Sequence, residues 1–436
     1  MNQSQDLPHP RISDIITRFR KNFKSLRHYN YRLYWIAQLI SVTGTWMQNV
    51  ALAWYVVTLT GSAVALGTVT ALQFLPILFL SMFAGVYIDR LPKRKIIIIT
   101  QIASALQAFA LWIVVATKIA TLPEIYFLAL LIGFVNAFDQ PGRQAFIAEM
   151  VPDEDVGNAI ALNSLLFNAA RTVGPAIAGV TIALVGVAPS FLINAISYVA
   201  IIIALLMMHK SQLRVFPVKF ESTLKEGLKE GISYAVNEPS IASVLLVLIF
   251  VGTFGYNFNT VLPLLVKFVM YGGPRMFGVL TSSLGIGSMI GALVVAGRQM
   301  PTRKFIYTFA AAFGVTDIAI SLSRSYVVTV VLLVALGISS ISYIASTNTS
   351  LQMNSPMRLR GRIMGLYVVI FAGSTPIGAL FTGFVAEGLG TVAMILIEGA
   401  LCLLGVVLGV IYVRRKAPTG KGREEMKEVP KYDGTS

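Results

Sequence analysis

At 436 residues the chain has the length of two or three soluble domains, yet 56% of its residues are hydrophobic, 13% are charged and its mean hydropathy is +0.73, which excludes an ordinary soluble protein. Apolar runs of about 20 residues recur without the alternation of barrel strands, so the membrane-spanning elements are helices. The net charge of +15 comes from Lys and Arg in short loops between those runs, a pattern that orients membrane helices and leaves no nucleic-acid footprint.

Residues 1–32 carry seven Lys and Arg and no apolar stretch, and so read as a tail instead of a cleaved leader. Spans one to six are expected at 33–59, 64–88, 96–117, 123–148, 158–184 and 189–208. In span one Gln38, Ser41, Thr45, Gln48 and Asn49 recur at helical spacing beside Trp46. Such a polar stripe in lipid implies a face turned to water, to substrate or to another helix. Span four contains Asp139 and Arg143. Span five contains Arg171 near the midplane, with Ser164 and Asn168 on the same helix face. An unpaired arginine at that depth is costly, so Asp139 is expected to pair with it, the alternative partner of Asp139 being Arg143 at i+4. A carboxylate held or released by such a partner is a candidate for proton coupling.

Residues 209–240 mix charges and form a linker with a helical pattern from Leu224 to Tyr234. Spans seven to twelve follow at 241–266, 276–297, 304–323, 326–350, 363–386 and 391–413, before a tail at 414–436. Tyr256, Asn257 and Asn259 take the place in span seven that the polar stripe has in span one. Asp317 and Glu398 lie in the outer parts of spans nine and twelve, where either can be an acid snorkelling to the surface, Glu398 more so, and Asp317 is a further proton-coupling candidate.

An offset of 209 aligns Pro92, Arg94 and Lys95 with Pro301, Arg303 and Lys304. An offset of 204 aligns Pro152, Gly157, Gly174 and Gly179 with Pro356, Gly361, Gly378 and Gly383. The expected fold class is an all-α membrane protein of twelve transmembrane helices in two six-helix bundles, 33–208 and 241–413, with a substrate site at their interface. Of the 35 Lys and Arg, 29 lie on the side of the N-terminus, four lie on the other side, and Arg143 and Arg171 lie within the membrane. Both termini and the linker are therefore expected in the cytoplasm.

The loop after span two, Gly85-Val-Tyr-Ile-Asp89-Arg90-Leu-Pro92-Lys93-Arg94-Lys95, resembles the G-x-x-x-D-R-x-G-R-R/K loop of the major facilitator superfamily, with Pro92 at its usual second glycine. The stretch Thr43 to Gly61 and the runs Asp139 to Phe146 and Ala161 to Asn168 resemble the transmembrane secretion effector branch, which includes enterobactin-exporter-like and macrolide-efflux-like proteins. In span five Gly174, Pro175 and Gly179 keep part of the small-residue pattern of drug:proton antiporters, a pattern that ordinary tight packing also produces. The resemblance implies that Asp89 seats on a helix N-terminus of the second half and that Arg90 and Arg94 reach first-half acids, Glu149, Asp153, Glu154 and Asp155 being available. Gly85, Asp89, Arg90, Lys93 and Arg94 would then form a gating loop.

The function implied is a secondary active transporter that exports a small amphiphilic molecule, such as a siderophore, a macrolide or another drug-like compound, by proton antiport with alternating access. An importer of the same fold and a non-transporting scaffold are the alternatives. No GxxxxGK[ST] run cradles ATP phosphates, and His9, His28, His209 and Cys402 form no metal pattern, so no cofactor is expected beyond a proton gradient and no enzymatic activity is indicated. The expected partners are the substrate and the lipid bilayer, with a monomer in a bacterial inner membrane as the working unit.

Overall fold

The computed structural model describes residues 23–214, 232–296, 301–357 and 359–416, and of residues 81–87, 89, 90 and 416 the backbone alone. In lipid every backbone N–H and C=O needs an internal partner, and the apolar runs meet that demand as long helices. In chain order these are α1 (Tyr29–Thr60), α2 (Ala63–Arg90), α3 (Lys93–Ala116), α4 (Leu122–Met150), α5 (Asp153–Val185) and α6 (Ala188–Met207). The second half comprises α7 (Pro239–Phe254), α8 (Phe258–Leu264), α9 (Pro274–Ala296), α10 (Arg303–Leu322), α11 (Tyr326–Asn354), α12 (Arg360–Leu389) and α13 (Thr391–Lys416). Among the described residues eleven segments are long and apolar enough to cross a membrane, α7 and α8 counting as one. The twelfth, α1, has the length but is diluted by its own polar stripe.

Turn chemistry joins the helices tightly. Gly61 closes α1 at φ 66°, a left-handed conformation that suits glycine, and the Ser62 side chain accepts from Ala65 N to open α2. Thr121 and Glu124 form a reciprocal capping box at the start of α4.

Two features differ from the expected elements. The seventh span is not continuous, because the helix stops at Phe254 and resumes at Phe258, with Gly255, Tyr256 and Asn257 between. The first tail is shorter than 32 residues: α1 begins at Tyr29, and the segment before it is tied to the start of α5. There Ser25 Oγ donates to Asp155 O (3.0 Å), while Lys24 and His28 each approach the Asp155 carboxylate to 2.7 Å. The tail up to residue 22, most of the linker (215–231) and the tail beyond residue 416 lie outside the described residues.

The halves meet along two long crossings, α2 with α12 and α5 with α9. Apolar side chains alone do not drive helices together in lipid, so close approach depends on small residues. A β-carbon on Gly179 would stand 2.8 Å from the Pro274 carbonyl oxygen at the start of α9, and one on Gly383 would stand 2.8 Å from the Ala63 carbonyl oxygen at the start of α2. Gly179 and Gly383 are partners under the offset of 204, so the internal repeat places equivalent glycines at equivalent crossings. Glu387 reinforces the second crossing by accepting from Ala63 N (2.7 Å) and Ser62 Oγ (3.1 Å). All of these contacts lie toward the end that carries the α1–α2, α5–α6 and α12–α13 turns.

Candidate functional site

Between the halves lies a cavity in two adjoining compartments that share Trp46, Asn49, Phe74 and Asn259. The inner one, about 260 Å³, sits where the bundles meet and includes Arg171, Tyr256, Asn257 and Phe371. The other, about 560 Å³, runs along the first half toward the end where α6 leaves the bundle, past Gln38, Asp139, Ser164 and Asn168. The crossings described above close the opposite end.

The polar stripe of α1 divides its work. Gln38, Thr45, Trp46, Gln48 and Asn49 line the cavity, whereas Ser41 is fully buried and does not. Gln38 Nε2 donates to Asn163 Oδ1 (3.2 Å), Gln48 Nε2 donates to Gln107 Oε1 (3.1 Å), and Gln48 Oε1 accepts from Asn194 Nδ2 (2.8 Å). Thr45 shares a bond with the Tyr198 hydroxyl (3.1 Å). Several of these groups therefore also join helices. The tie between α1 and α5 is steric too, since a β-carbon on Gly174 would stand 2.6 Å from Trp46 Cβ.

The expected Asp139–Arg171 pair does not form. Asp139 Oδ2 instead accepts from Arg143 Nε (2.6 Å), and Asp139 Oδ1 accepts from Thr100 Oγ1 (2.6 Å) and Gln101 Nε2 (2.8 Å), with the carboxylate 6% exposed. Matching depth on two helices was not sufficient, because Arg143 stands one turn away on the same face and reaches the acid first. Arg171 Nη2 donates to Asn168 Oδ1 (3.1 Å), and Asn168 Nδ2 donates to Ser164 O (2.8 Å), which keeps the polar face of α5 continuous.

The second half presents an aromatic wall with acids behind it. The break after α7 puts Tyr256 and Asn257 in the cavity, in keeping with irregular backbone at membrane depth being tolerated where it lines a cavity. Tyr256 donates to Ser340 O (2.5 Å), stacks on Phe313 with ring centroids 5.7 Å apart, and meets Phe371 edge-on at 5.3 Å. Behind it Asn257 Nδ2 donates to Thr253 O (2.8 Å) and to Glu398 Oε1 (3.2 Å), and Thr382 Oγ1 also donates to Glu398. Glu398 is 1% exposed, so it is an interior acid and not a snorkelling one. Its position follows from the α10–α13 crossing, where a β-carbon on Gly314 would stand 2.9 Å from Gly399 O and one on Gly399 would stand 2.8 Å from Gly314 O. That crossing sets Asp317, 5% exposed, close enough to act electrostatically on Glu398, and neither acid forms an ion pair among the described residues. Asp317 does not line either compartment.

The expected gating loop is seen in part. The side chains of Asp89 and Arg90, and Gly85 beyond its backbone, lie outside the described residues. Lys93 takes Glu149 as its partner (3.0 Å). Among the described residues Arg94 reaches no acid and instead donates to Leu205 O (2.6 Å) and Leu206 O (3.3 Å), carbonyls of the last turn of α6. Asp153 and Asp155 are engaged elsewhere, by Arg214 and by Lys24 with His28.

Gln101, Asn136, Gln140, Gln144 and Asn163 also line the cavity and escaped the sequence reading. The signal was present: Asn136, Asp139, Gln140, Arg143 and Gln144 form an i, i+3, i+4, i+7, i+8 stripe on α4, as strong as that of α1. Among the described residues no group of three His, Cys, Asp or Glu is placed to hold a metal ion.

A family model described as transmembrane secretion effector matches residues 21–430. The chain is 25% identical over 377 residues to a staphyloferrin A transporter of Staphylococcus aureus, covering 86% of this chain and 93% of that one. It is 26% identical over 390 residues to the multidrug efflux pump Tap of Mycolicibacterium fortuitum, again covering 86% and 93%. Among solved structures the nucleoside transporter NupG superposes with a TM-score of 0.70 at 11% identity, over 89% of this chain and 100% of that one.

Proposed function

The chain belongs to the transmembrane secretion effector family of the major facilitator superfamily, and from that premise we propose that it exports a small amphiphilic molecule by alternating access, in exchange for protons. The observation that carries this reading is a cavity of mixed aromatic and amide lining, shared by both halves and closed at one end by small-residue crossings. Rocking the halves about that cavity would open the closed end and seal the other. The relatives named for efflux and for a siderophore favour export of a drug-like or siderophore-like compound. The charge asymmetry supports a bacterial inner membrane with both termini and the linker in the cytoplasm, which makes the open end the cytoplasmic one. The internal repeat lets a monomer form the whole pathway, with a proton gradient as its energy source.

Proton coupling falls best on Asp317 and Glu398. Asp139 already has a guanidinium and two neutral donors, whereas burial of the other two with no paired cation among the described residues leaves a proton as their counter-charge. Cys402 on α13 is close enough to both acids to interact electrostatically with them, and it is not cationic. Asn257 contacts Glu398 on one side and the cavity on the other, and so links proton occupancy to substrate.

Direction is tested in inside-out vesicles. An exporter accumulates substrate when the lumen is made acidic relative to the medium. Accumulation driven only by the opposite gradient would instead identify an importer.

A further inference from the structure

We propose that the cavity selects an anionic amphiphile, whose carboxylate or comparable anionic group is bound by Arg171 while its apolar body lies against Trp46, Tyr256 and Phe371. This rests on the transport reading and narrows it to a substrate class.

Among the described residues three charged side chains line the two compartments, and two of them cancel: Asp139 and Arg143 form an ion pair at 2.6 Å. Arg171 is the surplus. Among the described residues no carboxylate lies within ion-pair distance of it, its one side-chain partner is the neutral Asn168 amide, and Tyr256 is the only ionisable group close enough to act on its charge. A guanidinium has five N–H donors in a rigid fork that matches a planar anion, so most of this one's binding capacity is unspent. An unpaired arginine near the bilayer midplane is costly, which is a reason for the site to carry one only where an anion arrives.

The surroundings point the same way. Asn49 and Asn259 border both compartments and can donate further N–H groups to an anion. The acids that a cationic substrate would need are withdrawn: Glu398 and Asp317 are buried away from the compartments, and Asp139 is engaged by three donors, one of them a guanidinium. A cation entering the inner compartment would meet a like charge with no exposed carboxylate among the described residues to offset it.

The test uses three probes with one fluorescent body: dansylated aminohexanoate, its uncharged primary amide and dansylated diaminopentane. Binding is titrated against the full chain in phosphatidylcholine nanodiscs, with empty discs as the background. The anion is expected to bind about tenfold more tightly than the amine, with the amide between them. Arg171→Gln should remove the preference while the protein stays folded, and Arg171→Lys should keep most of it. Equal or tighter binding of the amine, or an anion preference that survives Arg171→Gln, would overturn the anion site and leave the export reading standing. Failure of all three probes to bind folded protein would contradict both.

Discussion

Asp139 and Arg143 hold each other in a place where neither could stand alone. Removing one member of a buried ion pair leaves an uncompensated charge, at a cost of about 3–5 kcal/mol. Asp139→Asn is therefore expected to lower the thermal stability of the purified protein markedly, and Asp139→Asn combined with Arg143→Gln to recover much of the loss. Equal stability of wild type and the single variant would show that the pair contributes little. Asp317 and Glu398 should behave differently, because neither leaves a cation behind when neutralised. Asp317→Asn and Glu398→Gln are expected to stay folded and to permit downhill substrate movement while abolishing accumulation driven by a pH gradient. Retained pH-driven accumulation in both variants would return the coupling role to Asp139.

At the scale of helices, the α5–α9 and α2–α12 crossings hold one end of the cavity shut. Even a β-carbon on Gly179 would press on the Pro274 carbonyl, so Gly179→Leu should wedge α5 from α9 and disfavour that state. A cysteine pair replacing Ser62 and Glu387, which touch across the other crossing, reports the closure in a background lacking Cys402. Cross-linking is expected to fall several-fold with Gly179→Leu, and an unchanged yield would contradict the wedge. The twelve spans and the paired glycines were legible in the sequence because lipid imposes length and apolarity on every crossing helix. What escaped was azimuth. The run around Glu398 is apolar on every face, so nothing in it showed that the acid faces inward; the Gly314–Gly399 contact that buries it joins residues far apart in the chain. The break at Gly255 to Asn257 was equally hidden, since Asn257 replaces a lost helical partner with its own side chain by bonding Thr253 O.

At the scale of the molecule, orientation and energy source decide which way cargo moves. A cysteine placed at Ser222 is expected to react with an impermeant maleimide only after the cells are opened, as the 29-to-4 charge split requires. Labelling in intact cells would invert the topology and with it the direction of transport. The central claim, exchange of substrate for protons, is tested most directly in proteoliposomes loaded with dansylated aminohexanoate and a pH-sensitive dye. As the probe leaves down its gradient, the lumen should acidify beyond protein-free liposomes, and the Asp317→Asn, Glu398→Gln double variant should release probe without that acidification. Probe release by the wild-type protein with no proton entry, or with alkalinisation of the lumen, would contradict proton antiport.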